Sequence, residues 1–116
     1  MKEFVLIFRR SEKSDLKPSP EQMRERMDWL AGIAAQNKLA DKGRTLSVSN
    51  AKTAKPGNVV TDGPYAEIKE FVSGFIVVKA ETIDEATEFA KANPILKKGG
   101  TVEVREVITF PVESQD

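Results

Sequence analysis

Two stretches of this 116-residue chain are apolar on both faces of the β-strand that each would form. Residues 71 to 80 read Phe-Val-Ser-Gly-Phe-Ile-Val-Val-Lys-Ala, and residues 4 to 8 read Phe-Val-Leu-Ile-Phe. Because successive side chains of a strand point to opposite faces, either segment presents apolar groups on both sides. We therefore expect both strands inside a sheet, with Phe71, Phe75 and Val77 on one face of the longer strand. Gly74 predicts a bulge or a close backbone approach.

One amphipathic helix is predicted after each of these strands. The first begins at Ser19, an N-cap residue in a capping-box pattern with Gln22, and its apolar residues recur at helical spacing to about residue 39. Gly43 is interpreted as its stop signal. The second helix follows Thr82, which opens another capping-box pattern, and ends before Pro94.

Two further segments alternate between polar and apolar residues and are predicted to be strands, at residues 44 to 51 and 101 to 108. Pro56-Gly57 predicts a turn, and the short apolar segment after it predicts a hairpin. The order of elements is then strand, helix, strand, hairpin segment, strand, helix, strand, which is the split βαβ plan. The sequence therefore predicts an α+β, ferredoxin-like (βαββαβ) domain over residues 1 to 110, followed by a C-terminal tail, residues 111 to 116.

Two helices can cover only one face of such an antiparallel sheet. The interior strands are apolar on both faces, and an uncovered second face would expose a larger apolar patch than a lone soluble domain normally carries. Sheet-to-sheet burial of about 800 Å² per partner is ample for a stable dimer. We therefore expect a homodimer formed through the sheet face.

Composition excludes several classes of site. Lysine and arginine number 18, as do aspartate and glutamate, so the net charge is zero and no partner nucleic acid or membrane is expected. The chain has no cysteine and no histidine, which removes thiol chemistry, the commonest metal ligands and the usual proton carrier near neutral pH. No metal and no cofactor are predicted. The N-terminal apolar run is too short for a secretory signal or a membrane span, so a cytoplasmic location is predicted.

A rigid acidic corner precedes the longer apolar strand. Pro64 fixes its own φ angle, Gly63 tolerates backbone angles that other residues avoid, and Asp62 can accept hydrogen bonds from nearby amides. Asp62 is the candidate catalytic residue, and the alternative is that it only caps the turn. The candidate ligand-binding residues are the corner, the residues after it and polar positions on neighbouring strands: Gly63, Pro64, Tyr65, Glu67, Lys69, Ser47 and Arg105. For the charged residues after the corner, a solvated hairpin edge is the simpler interpretation.

The first predicted strand ends in two arginines, Arg9 and Arg10. A guanidinium group can hold a carboxylate or a phosphate through two parallel hydrogen bonds. Ordinary surface charge is nevertheless the favoured interpretation of these two residues.

Residues 61 to 70, which read Thr-Asp-Gly-Pro-Tyr-Ala-Glu-Ile-Lys-Glu, resemble the signature of the DGPF family of YCII-related domains. That signature typically reads Thr-Asp-Gly-Pro-Phe-Ala-Glu-Thr-Lys-Glu, so Tyr65 and Ile68 are the differences. The resemblance implies a dimeric α+β barrel. It also implies a possible enzyme, because YCII members are described as carrying a His-Asp pair in a cleft, and some are linked to lyase or dehalogenating steps on chlorinated aromatic rings. A chain without histidine cannot form that pair, so acid–base chemistry would fall to Asp62 or Glu67.

The leading hypothesis is a homodimeric domain that binds a small polar or aromatic molecule in a cleft beside the corner. One alternative is a small lyase-like or hydrolase-like enzyme, in which Asp62 is the general base and Lys69 or Arg105 stabilises negative charge on an acidic or phenolic substrate. The other alternative is a regulatory or protein-interaction module. The resemblance suggests it, because DGPF members are associated with extracytoplasmic-function sigma factors by gene neighbourhood.

Overall fold

The computed structural model describes residues 1–11, 17–64 and 70–110. In chain order the elements are β1 (Lys2–Arg10), α1 (Pro20–Ala35), β2 (Leu39–Thr45), β3 (Lys52–Lys55), β4 (Val59–Asp62), β5 (Phe71–Ala80), α2 (Ile83–Lys91), a 3₁₀-helix (Pro94–Lys98) and β6 (Thr101–Glu106). The predicted tail, residues 111 to 116, lies outside the described residues. Among the helices that the structure describes, none is both long and apolar enough to cross a membrane.

Four strands form one antiparallel sheet in the order β2-β5-β1-β6. The two interior strands are β1 and β5, as their apolar faces predicted. β3 and β4 pair separately as a hairpin around the predicted Pro56-Gly57 turn, and this hairpin is inserted between β2 and β5. The strand order, with one helix in each crossover, is the split βαβ plan. The predicted α+β, ferredoxin-like fold is therefore confirmed.

The core lies between one face of the sheet and both helices. Phe4 and Leu6 on β1 and Ile76 and Val78 on β5 are at most 1% exposed. Full burial of a side chain of this size contributes about 1.5–3 kcal/mol. The helical residues buried in the same cluster come from α1 and α2: Ile33, Ala86 and Ala90. Both helices are therefore held on one face, as predicted.

The other face of the sheet, called the open face below, is built from the alternate residues of the same strands. Its central side chains are Val5 and Ile7 from β1 and Val72, Phe75 and Val77 from β5, and all five are partly exposed. The open face is thus apolar at its centre.

A bulge at Ser73 changes which residues of β5 reach the open face. Phe8 pairs with Gly74 and Arg9 pairs with Val72, so Ser73 is the extra residue. This confirms the bulge predicted at Gly74. Beyond it the alternation reverses, so that Phe71 is buried and Val72 lies on the open face. The prediction that Phe71 shares a face with Phe75 and Val77 was therefore wrong.

Both predicted N-caps are present. Gln22 N donates a hydrogen bond to Ser19 Oγ (3.2 Å), and Ser19 N donates one to Gln22 Oε1 (3.0 Å), which completes the capping box. Thr82 Oγ1 accepts a hydrogen bond from Glu85 N (3.2 Å) at the start of α2. α1 ends at Ala35, earlier than the predicted residue 39, because Asn37 has a φ of 59° and the chain enters β2 at Leu39.

The second strand was predicted wrongly at residues 44 to 51. β2 is Leu39–Thr45, and the residues that follow form a loop. Gly43, interpreted as a helix stop, lies inside β2 with a φ of 66°, at an irregularity in the pairing with β5. A Cβ on Gly43 would stand 1.6 Å from the carbonyl oxygen of Phe75. Glycine is required here because the backbone of β5 approaches Gly43 too closely to leave room for a side chain.

Candidate functional site

The hairpin of β3 and β4 positions the predicted corner. Gly63 N donates a hydrogen bond to Ala51 O (2.7 Å), and Thr53 Oγ1 donates one to Gly63 O (2.9 Å). Gly63 has a φ of 88°, in the left-handed region that glycine adopts without strain. The corner is thus fixed to the start of β3 by one backbone and one side-chain hydrogen bond.

Asp62, the predicted catalytic residue, points its carboxylate to solvent. Its side chain is 92% exposed, and its Oδ1 lies 2.6 Å from Lys52 Nζ across the hairpin. An exposed ion pair of this kind contributes about 0–1 kcal/mol to stability. The structure gives Asp62 an ion-pairing position on the hairpin surface, and its acid–base role stays a prediction.

A cleft of about 350 Å³ lies beside the corner, at one end of the open face. It is bounded by the ends of β1 and β5, by the loop after β2 and by the start of β3. Its lining residues are Arg9, Leu46, Ser47, Ala51, Lys52, Thr53, Pro64, Glu70 and Val72. Two of the predicted ligand-binding residues, Ser47 and Pro64, are therefore brought together in this cleft.

The bulge in β5 supplies part of the apolar lining. It turns Val72 toward the open face, where Val72 lies opposite Arg9 of β1. Leu46 and Pro64 add apolar surface from the loop and from the corner. The cleft thus has an apolar part that depends on the register between two strands.

Polar groups on the cleft rim are held in place by hydrogen bonds. Ser47 Oγ accepts a hydrogen bond from Asn50 N (3.0 Å), within the loop after β2. Glu70 accepts one from Thr101 Oγ1 (3.2 Å), which ties the start of β5 to the edge strand β6. The hydroxyl and carboxylate groups at the rim are therefore oriented by neighbouring elements.

Arg9 is the most buried cation of the cleft. Its Nη1 forms an ion pair with Glu103 on β6, and its side chain is 22% exposed. In the part of the chain that the structure describes, its Nε is buried and has no hydrogen-bond partner. Arg10 alternates to the helix-covered face and is 7% exposed. The interpretation of Arg9 and Arg10 as ordinary surface charge was therefore wrong, and the two guanidinium groups do not act together.

The alternation of β1 in the sequence could have indicated that Arg9 lies on the open face. Arg9 continues the two-residue alternation of Val5 and Ile7, which places it on the open face. Lys52 and Thr53 were not singled out, because their positions follow from the hairpin and not from any motif.

Among the described residues, neither a second hollow nor a metal-binding cluster adds a further candidate site. A shallower hollow of about 550 Å³ lies between the start of β1 and residues 106 to 109, where Ile108 is 71% exposed. Its walls come from the paired ends of β1 and β6 and from the residues after β6, away from the predicted corner. Among residues 1–11, 17–64 and 70–110, no group of three or more His, Cys, Asp or Glu side chains could hold a metal ion.

One carboxyl group distant from the cleft has an altered pKa. Glu85 on α2 lies 3.1 Å from Lys38 Nζ, just before β2. The hydrogen bond from the Lys38 ammonium lowers the pKa of the Glu85 carboxyl from its ordinary value of 4.5. This contact stabilises the junction between α2 and β2 and has no part in the site.

A model of the YCII-related domain family matches residues 3–111. The chain belongs to the YCII-related domain family. An uncharacterised protein of Rhizobium meliloti (strain 1021) is 30% identical over 90 residues, which are 66% of this chain and 70% of that protein. Among solved structures, 5-chloro-2-hydroxyhydroquinone dehydrochlorinase from Burkholderia phenoliruptrix, in complex with 2,5-dihydroxybenzoquinone, is 21% identical, with a TM-score of 0.39. The match covers 93% of this chain and 95% of the dehydrochlorinase chain.

Family membership confirms the resemblance that residues 61 to 70 indicated. In this YCII-related domain, Tyr65, Glu67 and Lys69 lie outside the described residues, so their predicted ligand-binding roles stay predictions. Arg105 lies on β6, 68% exposed and 3.6 Å from Glu103, and it does not line the cleft.

Proposed function

We propose that this YCII-related domain binds a small organic molecule in the cleft beside the corner, and that it does so as a homodimer formed through the open face. The composition of the cleft carries the proposal. Small-molecule sites typically have volumes of about 300–1,000 Å³ and combine apolar walls with a few oriented polar groups. The cleft, at about 350 Å³, has both kinds of wall.

The polar groups of the cleft suit a ligand with oxygen substituents. Thr53 donates its hydroxyl proton to Gly63 O, so its oxygen is oriented to accept a hydrogen bond. Lys52 and Arg9 bring positive charge to the same space. Leu46 and Val72 offer apolar surface to a ring or a short alkyl chain. A small polar or aromatic molecule satisfies both kinds of contact.

The apolar centre of the open face supports the homodimer. Ile7, Phe75 and Val77 are partly exposed in the middle of the sheet, where a second sheet can cover them. Packing two such faces together buries them on both subunits. The resulting assembly is the dimeric α+β barrel that the family resemblance implies.

Filling the cleft tests the binding proposal. Ala51, just before β3, lines the cleft, whereas Ala54 on β3 is exposed and does not line it. We expect Ala51→Phe to abolish binding of small aromatic and hydroxy acids in ligand-observed NMR, and the matched control Ala54→Phe to preserve it. Equal binding by the parent and Ala51→Phe would place the ligand elsewhere. If the parent binds none of these small aromatic and hydroxy acids, the proposed function is refuted.

A further inference from the structure

We infer that the molecule bound in the cleft carries a single carboxylate group, which Arg9 binds through the Nε–Nη2 edge of its guanidinium. This inference rests on the proposed function and specifies the chemical class of the ligand. It predicts a small carboxylic acid with an apolar or aromatic body, and it makes Arg9 the residue that selects for it.

Among the described residues, Arg9 makes no hydrogen bond through the Nε–Nη2 edge of its guanidinium. Nη1 is engaged with Glu103 on β6. Within the described residues, Nε is buried without an acceptor, and a buried donor in that state is destabilising. A ligand carboxylate that reaches Nε would supply the acceptor that this donor lacks. The Nε and Nη2 groups donate in parallel, a geometry that matches the two oxygens of a carboxylate.

The surroundings of Arg9 favour a monoanion over a phosphate. Glu70 lies in the same cleft and opposes a second negative charge on the ligand. Lys52, the other cation, is engaged with Asp62 at 2.6 Å. Arg9 is likewise paired with Glu103, so the ligand shares this guanidinium with one carboxylate already. That arrangement suits a ligand with a single negative charge better than a dianion.

The rest of the cleft favours an apolar body on the acid. Val72 lies opposite Arg9 in the strand pairing, so it can contact the ligand atoms that follow the carboxylate. Leu46 and Pro64 are the other large apolar groups of the lining. A ring or a branched alkyl group would cover these three side chains while its carboxylate reaches Arg9.

The inference is tested with four probes of similar size: benzoate, benzamide, phenol and phenyl phosphate. Their dissociation constants for the full chain are measured near neutral pH, where benzoate is fully ionised. We expect benzoate to bind about tenfold or more tightly than each of the others, because only benzoate offers a monoanionic pair of oxygens. Chemical-shift changes at Val72 and Ala51 would locate the bound probe.

Substitutions of Arg9 separate charge from geometry. Arg9→Gln should remove the preference for benzoate over benzamide, while the same change at Arg24, exposed on α1, should leave it intact. Arg9→Lys keeps the positive charge but lacks the planar pair of donors, so we expect it to retain only a small part of the preference. Circular dichroism spectra that match the parent would establish that the variants are folded.

The possible outcomes separate failure of the carboxylate inference from failure of the proposed function. If benzamide or phenol binds in the cleft as tightly as benzoate, the carboxylate inference is overturned while the proposed function stands. Tighter binding of phenyl phosphate, or full preference for benzoate in Arg9→Gln, overturns it in the same way. If no probe shifts the cleft resonances of the parent, both fail.

Discussion

Gly43→Ala is the substitution whose effect on stability follows most directly from the structure. Gly43 has a φ of 66° in the edge strand β2, a conformation that costs an L-residue about 1–2 kcal/mol. A Cβ at this position would stand 1.6 Å from the Phe75 carbonyl oxygen and 2.5 Å from the Phe75 carbonyl carbon. Since both contacts are to backbone atoms, no side-chain rotation relieves them. β2 must move away from β5 by more than an ångström.

That movement breaks backbone pairing on both sides of the glycine. Asp41 pairs with Val77 and Arg44 pairs with Phe75, and each net hydrogen bond lost costs about 0.5–1.5 kcal/mol. Together with the backbone strain, we expect Gly43→Ala to lower the free energy of unfolding by about 2–5 kcal/mol. Small domains have about 5–15 kcal/mol in total, so the variant would be close to the limit of folding.

Urea denaturation followed by circular dichroism measures this difference. Gly32 on α1 offers a matched control, because in the described part of the chain no atom beyond its own stretch of helix lies within 4 Å of the position of its Cβ. Gly32→Ala should raise the free energy of unfolding by about 0.5–1 kcal/mol, as alanine does inside helices. Suppose that the free energy of unfolding of Gly43→Ala stays within about 1 kcal/mol of the parent while Gly32→Ala behaves as expected. The close approach of the β2 and β5 backbones at Gly43 would then be wrong.

Three further predictions concern pH, assembly and capping. Because the Lys38 hydrogen bond lowers the pKa of Glu85, this contact stabilises the fold above pH 4.5 and is lost as the pH falls through the lowered pKa. Acidification should therefore lower the Tm of Glu85→Gln less than that of the parent, and parallel curves would contradict this. Ile7→Glu should give a monomer in sedimentation velocity, whereas Ile83→Glu, at an exposed position on α2, should not; a dimer in both would move the interface off the open face. Ser19→Ala should lower the free energy of unfolding by about 1 kcal/mol in urea, and no change would mean that the capping box is not stabilising.

The parts of the fold that the sequence predicted are those set by local chemistry. The apolar run in β5 was predicted at Phe71–Ala80 and is found there. Ser19 and Thr82 were identified as N-caps, because a side-chain oxygen followed three residues later by Gln or Glu is a short-range signal. The Pro56-Gly57 turn is equally local. In each case the residues that decide the structure lie within a few positions of one another.

The prediction failed where distant strands decide the structure. Residues 44 to 51 alternate like a strand, yet pairing with β5 ends at Thr45, and Val48 is buried in a loop instead. Gly43 looked like a helix stop because glycine often follows a helix. Its actual role depends on the close approach of the Phe75 backbone. Nothing within a few residues of Gly43 indicates that approach.

The cleft depends on the same kind of long-range information. Had the pairing of β1 and β5 continued without a bulge, Ser73 would lie beside Arg9 on the open face and Val72 would point toward the helices. The bulge instead buries Ser73, whose hydroxyl donates to Phe8 O (3.3 Å), and turns Val72 into the cleft. Gly74 marked the place of the bulge, but the sequence does not say which neighbour becomes the extra residue. The apolar surface next to Arg9 therefore follows from the register of two strands, and a binding site of this kind can be located only after that register is known.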